Sequence, residues 1–153
     1  MNIRWFEPQD ARELMQLFYD TVHQINSRDY DLDQVEAWAP QTMDLRAWTD
    51  AFQHKFVWVA EVDNQLVGFA ELESNGHIDR VYCHKNFQRK GVGRQLLDRL
   101  ESQARLLEMT HLRVESSITA KPFFERRGYE VLYAETVERR GQSFRRYVME
   151  KRL

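Results

Sequence analysis

The chain has 153 residues, of which 42% are apolar and 30% charged, and this is the composition of one ordinary globular domain, not of a disordered chain. A formal net charge of −2 argues against nonspecific binding to nucleic acid, which needs a basic surface. No stretch approaches the roughly 20 apolar residues of a membrane span, and the start MNIRWFEPQD lacks an apolar signal-peptide core. We therefore expect one cytoplasmic domain over residues 1–153 with no membrane contact. Cys83 is the single cysteine, so we expect no disulfide.

The first third of the chain is predicted to be helical and acidic. Apolar residues recur at helical spacing from Asp10 to Ile25, and a second helical region, broken by Pro40, covers Leu32–Trp38 and Asp44–Phe52. Residues 1–53 contain ten acidic and four basic side chains. This excess indicates either a solvated helix surface or an attraction for a cationic substrate.

The period then changes to that of β-strands. Three β-rich runs separated by the turn signals DNQ and SNG predict a meander, and they are KFVWVAEV, LVGFAELE and HIDRVYCH. A helix is predicted from Gly91 to about Glu108, followed by a strand at HLRVESS. The order predicts a mixed α/β fold in which the strands before and after this helix are parallel neighbours.

The last quarter of the chain is predicted to contain a short helix and a hairpin. The helix lies in TAKPFFERRG, where Thr119 is the expected cap and Gly128 the expected end. The strands YEVLYAETVE and SFRRYVMEKR follow, joined by a turn around Gly141.

The stretch CHKNFQRKGVGRQLL, residues 83–97, has the features of an anion site. It contains four basic residues and no acid, and Gly91 and Gly93 lie where the long helix begins. The first N–H groups of a helix have no internal partner and attract phosphate. The dinucleotide fingerprint lacks its third glycine, since Leu96 stands there, and no P-loop pattern is present. A tight turn with surface charges is the alternative.

Three ordered motifs resemble the GNAT superfamily of acyl-CoA-dependent N-acetyltransferases. QRKGVG is similar to the family signature Q/R-x-x-G-x-G/A, HIDRVYCH to its central strand, and AKPFFERRGY to its later A-x-x-F-Y-E-x-x-G-F helix. AWAP, together with AKPFF, resembles a YafP-like bacterial branch. The resemblance implies a twisted mixed sheet of six to seven strands, with helices on both faces and a gap between two parallel strands.

The resemblance also implies acetyl-CoA as co-substrate and no metal. The pyrophosphate would lie on the main chain from about Arg89 to Arg94, and the pantetheine arm would pair with main-chain groups of Val81 and Cys83. The main-chain N–H of Val81 or Tyr82 is the expected oxyanion donor. The expected cofactor-binding residues are Val81, Tyr82, Cys83, Gln88, Arg89, Lys90, Gly91, Val92, Gly93, Arg94, Phe123 and Phe124.

Amine attack on a thioester needs a base, because a protonated amine cannot attack. The candidates are Glu71, then Glu73, then Asp79, and Glu71 and Glu73 share one face of a strand by their spacing. Each is otherwise a solvated or salt-bridged strand acid. His77 and His84 flank the next strand and are alternative proton carriers.

The late helix departs from the family pattern. Family members often have Tyr after Phe and use its hydroxyl to protonate the leaving thiolate, whereas this chain has Phe124. The thiolate then leaves unassisted, or another side chain donates the proton. The alternative donors are Tyr82, Ser116, Tyr129 and Tyr147.

The resemblance implies that the amine acceptor lies between the first helices and the final hairpin, and we expect it to be a small molecule or a peptide. Its predicted contacts are Tyr19, His23, Tyr30, Trp38, Trp48 and Tyr147, with the nearby acids Asp29, Asp31, Asp33 and Glu36. Aromatic walls with acids suit an amine on an apolar body, although aromatic residues are more commonly core. A homodimer is compatible with the resemblance, and a non-catalytic acyl-CoA binding or sensing domain is the alternative function.

Overall fold

A computed structural model describes all 153 residues. Seven strands form one mixed sheet in the order β1-β2-β3-β4-β5-β7-β6. The strands are β1 (Asn2–Trp5), β2 (Phe56–Val62), β3 (Gln65–Leu72), β4 (His77–Cys83), β5 (His111–Ser117), β6 (Glu130–Arg139) and β7 (Gln142–Arg152). The helices are α1 (Ala11–Gln24), α2 (Leu32–Trp38), α3 (Leu45–Phe52), α4 (Val92–Leu106) and α5 (Lys121–Arg126). None of these helices is both long and apolar enough to cross a membrane.

The predicted mixed α/β fold is confirmed, with two local differences. The edge strand β1 was not predicted, since four residues are too few to show a period; it pairs with β2 through Ile3 and Ala60. Thr119 was expected to cap α5, but Ala120 occupies the N-cap position. The Thr119 hydroxyl instead donates to the Asp29 carboxylate at 2.8 Å, which ties the segment before α5 to the segment after α1.

Helices cover both faces of the sheet, and each face has its own apolar core. On one face α4 and α5 pack on the strands through side chains such as Leu96 and Phe124. On the other face α1, α2 and α3 do so through Phe18 and Phe52. Burying each such side chain contributes roughly 1.5–3 kcal/mol. A Cβ at Gly68 of β3 would lie within 2.9 Å of three atoms, including side-chain atoms of α4, so α4 lies directly on the sheet at this point.

The parallel strands β4 and β5 are neighbours, as predicted, but they pair only at their beginnings. His77 and Ile78 are opposite Arg113 and Val114, and no later residues of the two strands pair. The strands therefore diverge toward their carboxyl ends. The gap between them faces the amino end of α4, because α4 follows β4 after a short loop.

A β-bulge accompanies this divergence. The single residue Glu71 of β3 stands opposite both Asp79 and Arg80 of β4. Because a bulge bends its strand and increases the local twist, β4 turns away from β5 soon after their last pair. The bulge also breaks the alternation of side chains, and Arg80 points into the α1–α3 layer, where its guanidinium carbon is 4.2 Å from the ring centre of Trp48.

Candidate functional site

The gap between β4 and β5 widens into a cleft of about 1250 Å³. Its walls come from β4, the loop before α4, the first turn of α4, the end of β5 and α5, and on the other side from α1, α2 and the β6–β7 hairpin. Eleven basic side chains line it, against two acidic ones, Asp79 and Glu115. The cleft is therefore a strongly cationic site in a protein of net charge −2.

The loop before α4 presents unpaired main-chain donors to the cleft. The first helical hydrogen bond of α4 runs from Gln95 N to Gly91 O at 3.0 Å, so the preceding N–H groups have no partner within the helix. Gly91 has a φ of 84°, in the left-handed region that favours glycine. These N–H groups lie at the positive end of the helix dipole and can bind an anion.

Side-chain contacts fix this loop in place. The Gln88 amide donates to Cys83 O at 2.8 Å, and the Thr21 hydroxyl of α1 donates to the same oxygen at 2.9 Å. Gly93 lies against α5, since a Cβ there would be 3.1 Å from the Phe123 ring. The loop, α1 and α5 therefore hold one another in place. All twelve predicted cofactor-binding residues, which are those of β4, the loop, the first turn of α4 and α5, line one side of the cleft.

The main-chain N–H groups of β4 point alternately toward β3 and toward the gap between β4 and β5. His84 N donates to Val67 O of β3 at 2.8 Å, so by the antiparallel alternation Tyr82 also bonds β3, while Val81 and Cys83 turn their N–H groups toward the gap. Of the two predicted oxyanion donors, this favours Val81 over Tyr82. Burial raises the pKa of the Cys83 thiol to about 11, which keeps it uncharged near neutral pH.

The three predicted candidate bases occupy different environments. The Glu71 side chain is fully buried; Arg80 holds both of its oxygens, and Lys55 Nζ is 3.3 Å from one of them. Neither Glu71 nor Glu73 lines the cleft, whereas Asp79 does. Of the three candidate bases, only Asp79 can be reached by a substrate in the cleft. The sequence had ranked Asp79 last, so the predicted ranking does not match the accessibility of the three side chains.

Lys55 and Arg80 control the charge of Asp79. Burial raises the pKa of Asp79, but the hydrogen bond from Lys55 and the nearby positive charges lower it by more, and the net pKa lies below its ordinary value. Burial lowers the pKa of Lys55, whereas Glu71 and Asp79 raise it, with a net increase. Asp79 is thus an ionised carboxylate with a modest affinity for a proton.

Glu115 is a second acid in the cleft that the sequence analysis missed. His77 bridges two carboxylates: its Nδ1 is 2.6 Å from Glu73 and its Nε2 is 2.5 Å from Glu115. Burial lowers the pKa of His77, but the two carboxylates raise it by more. A signal was available, because Glu115 alternates with the buried Leu112 and Val114 and so lies on the opposite face of β5.

Phe124 is buried at the wall of the cleft, with its ring centre 5.3 Å from that of Tyr129. Of the alternative proton donors, Tyr129 and Tyr147 do not line the cleft, whereas Tyr82 and Ser116 do. Burial raises the pKa of Tyr82 well above its ordinary value, so this phenol remains protonated.

The predicted acceptor residues divide into two groups. Tyr30 and Trp38 line the cleft, whereas Tyr19, His23, Trp48 and Tyr147 do not. Tyr19 stacks on His23, with the two ring centres 4.0 Å apart, and neither side chain lines the cleft. The Tyr30 hydroxyl is part of the scaffold, because it donates to Arg145 O at 3.1 Å and accepts from Ile118 N at 2.9 Å.

The expected acidic wall around the acceptor is not present. Asp31 caps α2, Asp29 accepts from Thr119, and none of the four acids proposed from the sequence lines the cleft. Arginines line this end instead. They are Arg28, Arg139, Arg140, Arg145 and Arg146.

Comparison with known proteins agrees with this geometry. Residues 26–151 match the family model described as an acetyltransferase (GNAT) domain. The chain is 34% identical, over 97% of its length and 94% of the relative's, to an uncharacterized N-acetyltransferase, YafP, of Escherichia coli K12. This also supports the predicted YafP-like branch.

Two solved structures show the same fold. A GCN5-related N-acetyltransferase from Rhodopseudomonas palustris superposes with a TM-score of 0.95 at 31% identity, over 99% of this chain and 95% of that one. YncA, a putative acetyltransferase from Salmonella typhimurium solved with its cofactor acetyl-CoA, gives a TM-score of 0.74 at 22% identity, over 100% of this chain and 94% of that one.

Proposed function

Because the chain belongs to the GNAT family of acetyltransferases, we propose that residues 1–153 form one domain that transfers an acetyl group from acetyl-CoA to a primary amine. The amine attacks directly, in a complex of both substrates. The observation that carries this proposal is the divergence of β4 and β5 in front of the glycine loop of α4. It leaves an anion site and a row of strand donors at one cleft, as a substrate with a diphosphate and an amide-containing arm requires.

The cofactor fits this cleft by its chemistry. The pyrophosphate accepts from the free N–H groups at the amino end of α4, with Arg89, Lys90 and Arg94 as counter-charges. The pantetheine arm extends along β4 as an added strand and pairs with Cys83 and with the main-chain oxygen of Val81, which leaves the Val81 N–H for the thioester. YncA, which has the same fold, was solved with acetyl-CoA. The thioester then lies near the bulge, beside Asp79.

The proposed reaction proceeds through a tetrahedral intermediate. Asp79, directly or through water, takes a proton from the ammonium group of the acceptor, with Glu115 as the second acid within the cleft. The amine nitrogen bonds the carbonyl carbon, and the Val81 N–H donates to the oxygen that becomes negative. The C–S bond then breaks, and the thiolate leaves with a proton from the nitrogen of the intermediate, from water or from Tyr82.

Release of the CoA thiol from acetyl-CoA, measured with a panel of amines, tests this function. At least one amine should stimulate release, and mass spectrometry should show an acetylated product. The same protein carrying Gly91→Glu should show neither. Amine-stimulated release that persists in a folded Gly91→Glu variant would contradict the cofactor placement.

A non-catalytic acyl-CoA sensor is the second candidate function. Two observations favour it: Phe124 has no proton to donate, and Glu71 is fully engaged with Arg80 and Lys55. It predicts CoA binding with no turnover for any amine. Product formation that depends on Asp79 would exclude it.

A further inference from the structure

The acceptor end of the cleft is rich in arginine, and what we infer from this rests on the proposed transferase function. Four arginines, from here on called the arginine rim, surround this end; they are Arg28, Arg139, Arg140 and Arg146. Arg145 also borders the cleft, but its side chain lies beside Tyr147, with its guanidinium carbon 5.6 Å from that ring centre, and it is not part of the rim.

The positions of the rim arginines follow from the hairpin register. Val137 pairs with Phe144, and both pack into the α1–α3 core. Because side chains alternate along a strand, Arg139 and Arg146 share this face with them. The helices α4 and α5 pack on the opposite face. These two arginines are therefore on the acceptor side of the sheet, across from the loop that is proposed to hold the diphosphate.

Protein carboxylates neutralise little of the rim. Arg146 pairs with Glu135 at 2.5 Å, but Arg28 and Arg139 have no carboxylate within 4.0 Å among the ion pairs of the structure. Arg140 donates to the main-chain oxygen of Ala37 at 2.5 Å, which is a neutral partner. Arg28, Arg139 and Arg140 are exposed, so solvent screens the repulsion between them, but their free guanidinium donors remain available to a bound anion.

Hydrogen bonds to the helical layer fix the hairpin backbone that carries three of the rim arginines. The Gln34 amide of α2 donates to Ser143 O at 2.7 Å, and the Tyr30 hydroxyl donates to Arg145 O at 3.1 Å. Together with the Arg140 contact to α2, these bonds clamp the hairpin onto the helical layer. The main-chain positions of the three hairpin arginines are therefore set before a ligand arrives, whereas the Arg28 and Arg139 side chains are exposed.

The carboxylates of the same cleft lie apart from the rim, and each is bonded to one protein cation, Asp79 to Lys55 and Glu115 to His77. Asp79 and Glu115 are the two acids that line the cleft. Glu115 bonds His77 on the face of β5 opposite the buried Val114, and this is the face that carries the rim. The acceptor side thus presents carboxylate oxygens beside the expected thioester and guanidinium groups on the hairpin and after α1.

From this polarity we infer that the acceptor is a small zwitterion: its amine lies at Asp79 and Glu115, and a carboxylate or phosphate on the same molecule is bound by the arginine rim. Arginine suits both anions, because its planar fork donates two parallel hydrogen bonds. A polyamine or an uncharged arylamine would leave the rim unpaired.

Matched substrate pairs test this inference. The wild-type protein with acetyl-CoA is assayed on amino acids and their amides, on phosphoethanolamine and ethanolamine, and on putrescine. The anionic member of at least one pair should have a kcat/KM about tenfold or more above its neutral counterpart, as expected for charge-assisted hydrogen bonds. The two kinds of pair separate a carboxylate from a phosphate. Neutral members or putrescine acetylated as well as the anions would overturn the inference.

A double variant, Arg28→Gln with Arg139→Gln, localises the effect. It should raise the KM for the anionic acceptor about tenfold and leave the CoA dissociation constant unchanged in calorimetry. The matched control is Arg12→Gln with Arg99→Gln, two exposed arginines away from the cleft, and it should change neither. If the rim variant instead bound CoA more weakly and kept its acceptor KM, the rim would be part of the cofactor site and the inference would be wrong.

Binding without turnover separates this inference from the proposed function. N-acetyl amino acids and their amides are titrated into the CoA-loaded protein, with Trp38 at the cleft as the fluorescent reporter. Tighter binding of the acids, lost in the rim variant, supports the anion site even if no amine is acetylated. Equal binding of acids and amides, or none of either, would refute it while amine-dependent thiol release still stands.

Discussion

At the scale of single residues, four charged side chains around the bulge perform different tasks although they are in contact. Arg80 and Lys55 neutralise the buried Glu71, and Lys55 also bonds Asp79. Glu71 therefore maintains the sheet, and Asp79 is left facing the cleft. The sequence indicates acids in this region, but spacing alone cannot show which of them a neighbouring strand will bury.

Paired amide variants separate these tasks. Asp79→Asn should lower kcat by about 100-fold, within the usual range for loss of a general base, and leave the CoA affinity unchanged. Glu71→Gln should instead destabilise the protein by about 3–5 kcal/mol, because it leaves Arg80 without its charge partner inside the protein. Steady-state kinetics and urea unfolding measure the two effects. An unchanged kcat in Asp79→Asn would assign the base to Glu115 or water.

The glycine at the start of α4 permits a sharper test of the cofactor site. Gly91→Glu should abolish CoA binding in calorimetry, because its carboxylate repels the phosphates and its side chain meets a left-handed backbone conformation. Gly141→Glu is the control, since Gly141 has a similar φ of 80° but open space around it. That variant should bind CoA normally, and equal losses in both would indicate backbone strain as the cause.

At the scale of elements, His77 fastens β4 to β5 where the cleft is closed. Its ring bonds Glu73, just after β3, and Glu115 of β5. Because both partners are carboxylates, the protonated ring is favoured in the folded protein, and its pKa is raised. The folded state therefore binds this proton more tightly than the unfolded chain does.

This proton makes stability depend on pH. The contribution of His77 is fully present below its unfolded pKa of about 6.5, and it is lost as pH rises through the higher pKa of the folded state. The free energy of unfolding should accordingly fall as pH increases above about 6.5. His77→Gln should remove that slope, while His54→Gln, an exposed histidine outside this contact, should retain it. A slope that survives in His77→Gln would contradict the fastening role.

Most helices and strands can be predicted from the sequence, but the β-bulge and the gap between two strands cannot. The period of Leu96, Leu97 and Leu100 marks α4, because one face of that helix is buried. The bulge opposite Glu71 has no local signal, since it depends on how two strands align. The gap between β4 and β5 was expected only from the resemblance to the family, and no property of either strand alone reveals it.

At the scale of the whole molecule, acidic and basic side chains lie in different places, and the net charge of each sequence segment does not show where. Residues 1–53 have an acidic excess, yet none of their acids lines the cleft, and the cationic lining comes mainly from later segments. The sequence suggested an attraction for a cationic substrate because it shows which segment holds a charge. Only the fold shows that the hairpin arginines replace those acids at the acceptor end.

The cationic cleft should make cofactor association depend on salt. Its eleven basic side chains exceed its two acids, and CoA is a polyanion, so the protein's field should speed encounter at low ionic strength. We expect the CoA association rate in stopped-flow measurements to fall by about tenfold or more between 20 and 500 mM NaCl, since the screening length shortens from over 10 Å toward 3 Å. Arg89→Gln with Arg94→Gln should flatten this dependence, whereas Arg12→Gln with Arg99→Gln should not. An association rate independent of salt would mean that the loop arginines hold the bound cofactor without steering it.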